Sequence, residues 1–166
     1  MSKLEVFYDY SCPFCLRGHG YLLELLPQHP EVEVEWHPCE AHPRPEEYGR
    51  HSDLCARGMF VAEKLGADLM EYHQRMYKAG VTDRGANIED GGVLAGYVDG
   101  LLDKDAFQRE LAGSLYQDVL DENNRLVWDV YDCPAVPSFR MDGKLLKSKP
   151  GIGVSKEELA AFLGGK

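Results

Sequence analysis

Leu4-Glu5-Val6-Phe7-Tyr8-Asp9-Tyr10-Ser11-Cys12-Pro13-Phe14-Cys15 is the stretch whose reading decides the fold. Leu4 to Tyr8 is a short β-prone run that stops abruptly at Asp9-Tyr10-Ser11. Pro13 suits a first helical turn, where its missing N–H leaves no hydrogen bond unmade. A helix then runs to about Leu26, with Leu22, Leu25 and Leu26 facing a core, until Pro27 and Pro30 end it. The order is strand, cysteine motif, helix.

Working outward, Val32, Val34 and Trp36 alternate with Glu31, Glu33 and Glu35, the period of a strand with one buried and one wet face. His37 to His51, rich in Pro, His and charge, is an irregular connection. From Ser52 to about Asp132 no strand pattern occurs. Helices are predicted over Ser52 to Leu65, Asp68 to Lys78, Ile88 to Val98, Asp103 to Leu111 and Leu115 to Tyr131. Ser52, Asp68 and Asp103 are candidate N-caps, and Leu115, Val119, Leu126 and Val130 recur at helical spacing. Val136 to Met141, the turn Asp142-Gly143 and Lys144 to Lys147 form a hairpin, and Ser155 with Glu158 makes a capping box for a last helix. Removing the helical block leaves β-α-β followed by β-β-α. The fold class is α/β, with a discontinuous domain of residues 1–51 and 133–166 and a helical insertion of residues 52–132.

The chain has 166 residues, enough to bury a core without disulfides or a structural metal. Its formal net charge of −10 repels phosphate backbones and anionic lipid, so neither nucleic acid nor membrane is an expected partner. No leader pattern opens the sequence and no stretch reaches membrane-spanning length, which points to a cytoplasmic address. Five cysteines, only two of them closely spaced, do not suggest a disulfide framework.

The chemistry lies in Cys12 and Cys15. A thiolate is the attacking form of cysteine, and a free thiol is mostly protonated at neutral pH. At the N-cap edge of a helix, Cys12 would meet the unpaired N–H groups of Phe14 and Cys15 and the positive end of the helix dipole. Cys15, one turn on, lies deeper. Cys12 is therefore read as the attacking sulfur and Cys15 as the resolving one. Asp9, three residues before Cys12, reads as a turn or helix-entry residue ahead of a proton shuttle to Cys15.

The run Phe7 to Cys15, with Trp36-His37-Pro38-Cys39-Glu40 after the second strand and Val136-Pro137-Ser138-Phe139 before Asp142-Gly143-Lys144, resembles the DsbA-type thiol-disulfide oxidoreductases, particularly their FrnE-like branch. The resemblance spans nearly the whole chain. It implies a thioredoxin fold with a helical domain inserted between its halves, and a cis Val136–Pro137 peptide facing the Cys12–Cys15 pair. It also implies that Val136 faces an extended substrate. The partners it implies are protein or small-molecule thiols and disulfides, with no cofactor beyond the redox cysteines and glutathione as a candidate reductant.

The departures are informative. Strongly oxidising relatives carry histidine where this chain has Phe14, so a less oxidising pair is expected, between the extremes of about −120 and −270 mV. Kappa-type glutathione transferases and hydroxychromene-carboxylate isomerases share the inserted layout, but typically place serine where this chain has Cys12. A zinc-stabilised binding or chaperone-like domain is a further alternative, because Cys12-x2-Cys15 is followed by Cys39-x2-His42. His51 and Cys55 share a helical spacing but make only two ligands. Metal is not expected. Cys39 and Cys55 read as buried thiols, and Cys133, four residues before Pro137, as a structural thiol ahead of one that traps a partner or forms an alternative disulfide. His19 is given no role, and Tyr72, Tyr77 and Tyr97 read as core or groove lining.

Overall fold

The architecture is that of a computed structural model describing residues 1–166. The elements run β1 Ser2–Tyr8, α1 Pro13–Leu25, β2 Val32–Pro38, α2 Asp53–Lys64, α3 Leu69–Tyr77, α4 Gly91–Tyr97, α5 Lys104–Leu111, α6 Gln117–Asn124, β3 Ser138–Met141, β4 Lys144–Leu146 and α7 Lys156–Leu163. The strands form one sheet in the order β2-β1-β3-β4. β1 is parallel to β2, with Val6 beside Trp36, and antiparallel to β3, with Val6 beside Phe139. This is a thioredoxin fold whose two halves are separated in sequence by a block of helices.

Leu4, Val6 and Tyr8 of β1 bury one face of the sheet against Leu22 and Leu25 of α1, and Leu26 stays half-buried. Each such aliphatic side chain stabilises the fold by roughly 1.5–3 kcal/mol when fully buried. The other face is partly wet. There Lys3 pairs with Glu35 at 3.0 Å and Arg140 with Glu5 at 2.8 Å, while His37 Nε2 meets Glu35 at 2.8 Å. Glu5, Glu35 and His37 are the one set of three metal-capable groups that converges. Both carboxylates already hold a cation, so the set is an ion-pair ladder across three strands.

Paired asparagines of α6 help dock the helical block on the sheet. Asn123 Nδ2 donates to the Pro38 carbonyl at 3.0 Å, and Asn124 accepts from the Glu40 N–H at 2.8 Å. At the other end Arg50 donates to the carbonyls of Ala79, Gly80 and Ala86, clamping the π-turn Lys78–Thr82 that follows α3. Gly80 of that turn lies against the Tyr10 carbonyl, where a β-carbon would approach to 2.2 Å. Only glycine fits.

Asp68 and Asp103 cap their helices as expected, and Ser155 with Glu158 closes its capping box. Ser52 does not cap α2: its hydroxyl is buried without a partner. Helix α4 begins at Gly91, capped by Asp90, rather than near Ile88. The helix expected over Leu115 to Tyr131 starts after Tyr116, which sits at φ 66°, and passes into a π-turn over Arg125–Val130. That register change puts Leu120 and Val127 in the core and leaves Leu115, Val119 and Val130 exposed. A second cis peptide, Arg44–Pro45, was not legible in the sequence.

An aromatic cluster joins the helical block to the sheet and the active-site turn. His73 of α3 is fully buried, with Nδ1 2.8 Å from the Tyr10 hydroxyl, and its ring lies 4.4 Å from Trp36. Burial lowers the His73 pKa to about 3, far below the ordinary value near 6.5. Below pH 6.5 the unfolded chain binds a proton that the folded chain refuses, so stability falls as pH drops from about 6.5 toward 3. His19, lowered by burial to about 4, acts in the same window. In His73→Phe, the urea midpoint should therefore decline less steeply than in the wild type between pH 6.5 and 4. An unchanged slope would assign the acid sensitivity to other groups.

Candidate active site

β1 ends at Tyr8, and the chain turns through Asp9-Tyr10-Ser11 into α1. Asp9 makes that turn rigid. Its carboxylate is fully buried and accepts from the N–H and hydroxyl of Ser11, both at 2.8 Å, and from the Ala41 N–H at 2.8 Å. Both oxygens are occupied, which is the geometry of the turn residue and fastens the active-site loop to the exit of β2. The Asp9 N–H points at the Cys15 sulfur at 3.4 Å.

Cys12 is the N-cap residue of α1, with extended backbone angles and Pro13 at the first helical position. Its carbonyl accepts from the N–H groups of Cys15 and Leu16 at 3.1 and 3.2 Å. Its sulfur is partly exposed, whereas Cys15 is buried. The hydrogen bond from the Cys15 thiol is the largest cause holding Cys12 below the ordinary thiol pKa. The N–H groups of Cys15 and Phe14 add to it, against burial and the charge of Asp9. Cys15 is pushed well above the ordinary value, first by burial and then by its hydrogen bond to Cys12. One helical turn thus separates a sulfur that ionises readily from one that holds its proton.

Opposite them, the Val136–Pro137 peptide is cis. The Cys12 sulfur lies 3.7 Å from the Val136 carbonyl. The Val136 side chain is buried, so its backbone, rather than its side chain, faces the site. The loop is braced from behind: Ser148 donates to the Pro137 carbonyl, and the Ser138 hydroxyl donates to the Ala135 carbonyl at 2.9 Å. Pro137 rests on Gly18 of α1, where a β-carbon would lie 2.9 Å from the Pro137 ring.

The other cysteines stand apart. Cys39 and Cys55 are fully buried and burial raises both thiols, Cys55 beyond the range of any physiological titration. Cys133 is also buried and raised by burial. The zinc alternative fails on geometry: His42 Nδ1 is held by Glu46 at 2.7 Å, and Cys12, Cys15, Cys39 and His42 do not converge. His51 gives Nδ1 to the His42 carbonyl at 2.9 Å instead of facing Cys55. Tyr72 and Tyr77 are core residues, while the Tyr97 hydroxyl donates to Asp83 at 2.6 Å. A groove of about 660 Å³ runs along β2 between α2 and α6, away from the sulfurs.

Sequence reasoning missed the parts that hold the site from a distance, namely Gly80, Arg50, Ser148 and the tie between Asp9 and Ala41. None has a local signature, because each acts on residues remote in sequence. Alkylation distinguishes Cys12 from the deeply buried thiols. With reduced, folded protein, iodoacetamide should label Cys12 first, with a pH midpoint below the ordinary thiol value, while Cys15, Cys39 and Cys55 stay protected until unfolding. Mapping by mass spectrometry checks this, and first labelling of Cys15 would contradict the division between the two sulfurs.

Comparison with known proteins agrees with this geometry. An uncharacterised protein of Bacillus subtilis strain 168, YwbO, is 25% identical over 192 residues, covering 95% of each chain. Among solved structures, the probable DsbA oxidoreductase SCO1869 of Streptomyces coelicolor superposes with a TM-score of 0.81 at 16% identity, covering 99% of this chain and 89% of that one. Chlamydia trachomatis DsbA does so with a TM-score of 0.75 at 16% identity, covering 99% and 85%. Residues 3–160 match the family model described as the DSBA-like thioredoxin domain, and the chain therefore belongs to that family of thiol-disulfide oxidoreductases.

Proposed function

We propose that the protein exchanges disulfides with partner thiols through Cys12 and Cys15. The observation that carries this reading is the Cys12 sulfur at the α1 N-terminus, with its pKa lowered, 3.7 Å from the Val136 carbonyl and above the buried Cys15. In the reducing direction the Cys12 thiolate attacks a partner disulfide, forming a mixed disulfide and releasing one partner sulfur as a thiolate that takes up a proton. The Cys15 thiol then gives up its proton and attacks the Cys12 sulfur. The Cys12–Cys15 bond forms, the second partner sulfur leaves with the electron pair, and the partner is reduced by two electrons. The oxidising direction is the reverse sequence.

The Phe14 side chain offers no hydrogen bond to the Cys12 thiolate. The lowered Cys12 pKa rests on Cys15 and backbone N–H groups alone. This supports a pair less oxidising than the strongest members of the superfamily, with a standard reduction potential between about −120 and −270 mV, measurable by equilibration with glutathione buffers. Such a pair suits a cytoplasmic address, needs no bound cofactor, and can take glutathione as reductant.

Two variants test the roles. Incubated with oxidised glutathione, Cys15→Ser should accumulate a stable mixed disulfide on Cys12, visible as an added mass, whereas Cys12→Ser should not. Absence of any adduct in Cys15→Ser would overturn the assignment.

A further inference from the structure

On one flank of Cys12, the loop of residues 147–153 between β4 and α7 rises beside Phe14. It is a tight, braced loop. Gly153 N–H donates to the Lys149 carbonyl at 2.8 Å, and Ile152 N–H donates to the same carbonyl at 3.0 Å. Ser148 ties the loop to Pro137, and Arg17 of α1 ties it to the Ile152 carbonyl. At Gly153 a β-carbon would meet Phe14 at 3.3 Å, so loop and active-site helix are in close contact.

The loop carries two features that the redox chemistry does not use. Ile152, the residue before Gly153, is an apolar side chain that is 62% exposed. Arg17, Lys147 and Lys149 are all exposed. The Arg17 guanidinium lies over the Phe14 ring, 5.3 Å from its centre. Of the exposed cations elsewhere, Lys3, Lys64, Lys78, Arg125 and Lys156 each hold a carboxylate, whereas Arg84, Arg109, Lys144 and Lys166 lie outside any ion pair and outside this loop. Arg17, Lys147 and Lys149 form no ion pair. Asp132 meets Lys147 through its backbone carbonyl at 3.2 Å, and Glu158 is engaged in the α7 cap. Three cations outside any ion pair thus stand on, or are tied to, the loop that touches Phe14, on a chain whose formal net charge is −10. The strongest influences on Cys12 come from Cys15, burial, backbone N–H groups and Asp9, so the three cations are not needed to tune the sulfur.

The geometry points to a specificity surface: Arg17, Lys147 and Lys149, with Phe14 and Ile152, select protein segments that carry carboxylates beside their reactive cysteine. This inference rests on the exchange reaction proposed above. The loop supplies apolar contact through Phe14 and Ile152, and charge complementarity supplies the choice. A small thiol would cover less of this shelf than an extended segment lying across Phe14 toward Val136. Local potential governs encounter within about one Debye length, near 8 Å at physiological salt, so the shelf can reverse the preference that the net charge alone would set.

The test compares two cysteine peptides of one length, one flanked by Asp and Glu and one by Lys, each presented as a mixed disulfide with a chromophoric thiol. The net charge alone predicts faster reaction with the basic peptide. The shelf predicts that the acidic peptide reacts about tenfold faster in low salt, with the advantage shrinking as ionic strength rises. In the triple variant Arg17→Gln, Lys147→Gln, Lys149→Gln the preference should disappear. Lys147→Glu with Lys149→Glu, which leaves the Arg17 brace intact, should invert it. Equal rates in the wild type, or a preference that survives both variants, would overturn the inference while leaving the exchange reaction standing. Failure of either peptide to react at Cys12 would instead sink the exchange reaction itself. Reduced glutathione, tested in parallel, reports the small-thiol case: a dependence of its rate on the three cations equal to that of the acidic peptide would overturn the choice of a protein segment.

Discussion

β1 is hydrogen-bonded on both sides, to β2 in parallel and to β3 antiparallel, and the active site follows from that pair of ladders. Phe7 lies beside Ser138, so Pro137 falls at the level where β1 ends and the Cys12 turn begins. Shifting either ladder by one residue would turn Leu4, Val6 and Tyr8 out of the core. The position of Val136 over Cys12 is therefore protected by the same burial that holds the sheet together.

The division of labour between the sulfurs arises from one turn of helix. Both cysteines sit at the positive end of α1, yet only Cys12 can gain from the free N–H groups while reaching solvent. Cys15 is placed inside, where desolvation disfavours its anion. Asp9 stiffens the turn without supplying the charge that ionises Cys12. Because its oxygens are committed to Ser11 and Ala41, the carboxylate links the loop to β2.

The helical block is structurally coupled to the site. The π-turn after α3 presses Gly80 on Tyr10, Arg50 holds that turn by three carbonyls, and His73 bonds the Tyr10 hydroxyl. The block also closes the exit of β2 through Asn123 and Asn124. Asparagine is a mediocre helix former, and here both side chains meet backbone groups that the end of the strand leaves open.

The local pattern alone determined the strand-cysteine-helix unit, the alternating strand at Val32 to Trp36, the hairpin, and the Asp68, Asp103 and Ser155 caps. Each is governed by interactions among residues a few positions apart. The same locality located Cys12 on a helix N-terminus, since proline and helix geometry suffice for that. It could not identify which face of Leu115 to Tyr131 is buried, because the positive φ at Tyr116 and the π-turn rotate the apolar stripe. It overestimated Ser52 as a cap for a similar reason: residue type permits the bond, but packing places the hydroxyl elsewhere. Only the tertiary structure decided that Gly80, Arg50 and Ser148 brace the site and that Arg17, Lys147 and Lys149 stand unpaired beside it. Such relations join residues many positions apart, and they exist only once burial has set the strand register and brought those distant segments into contact.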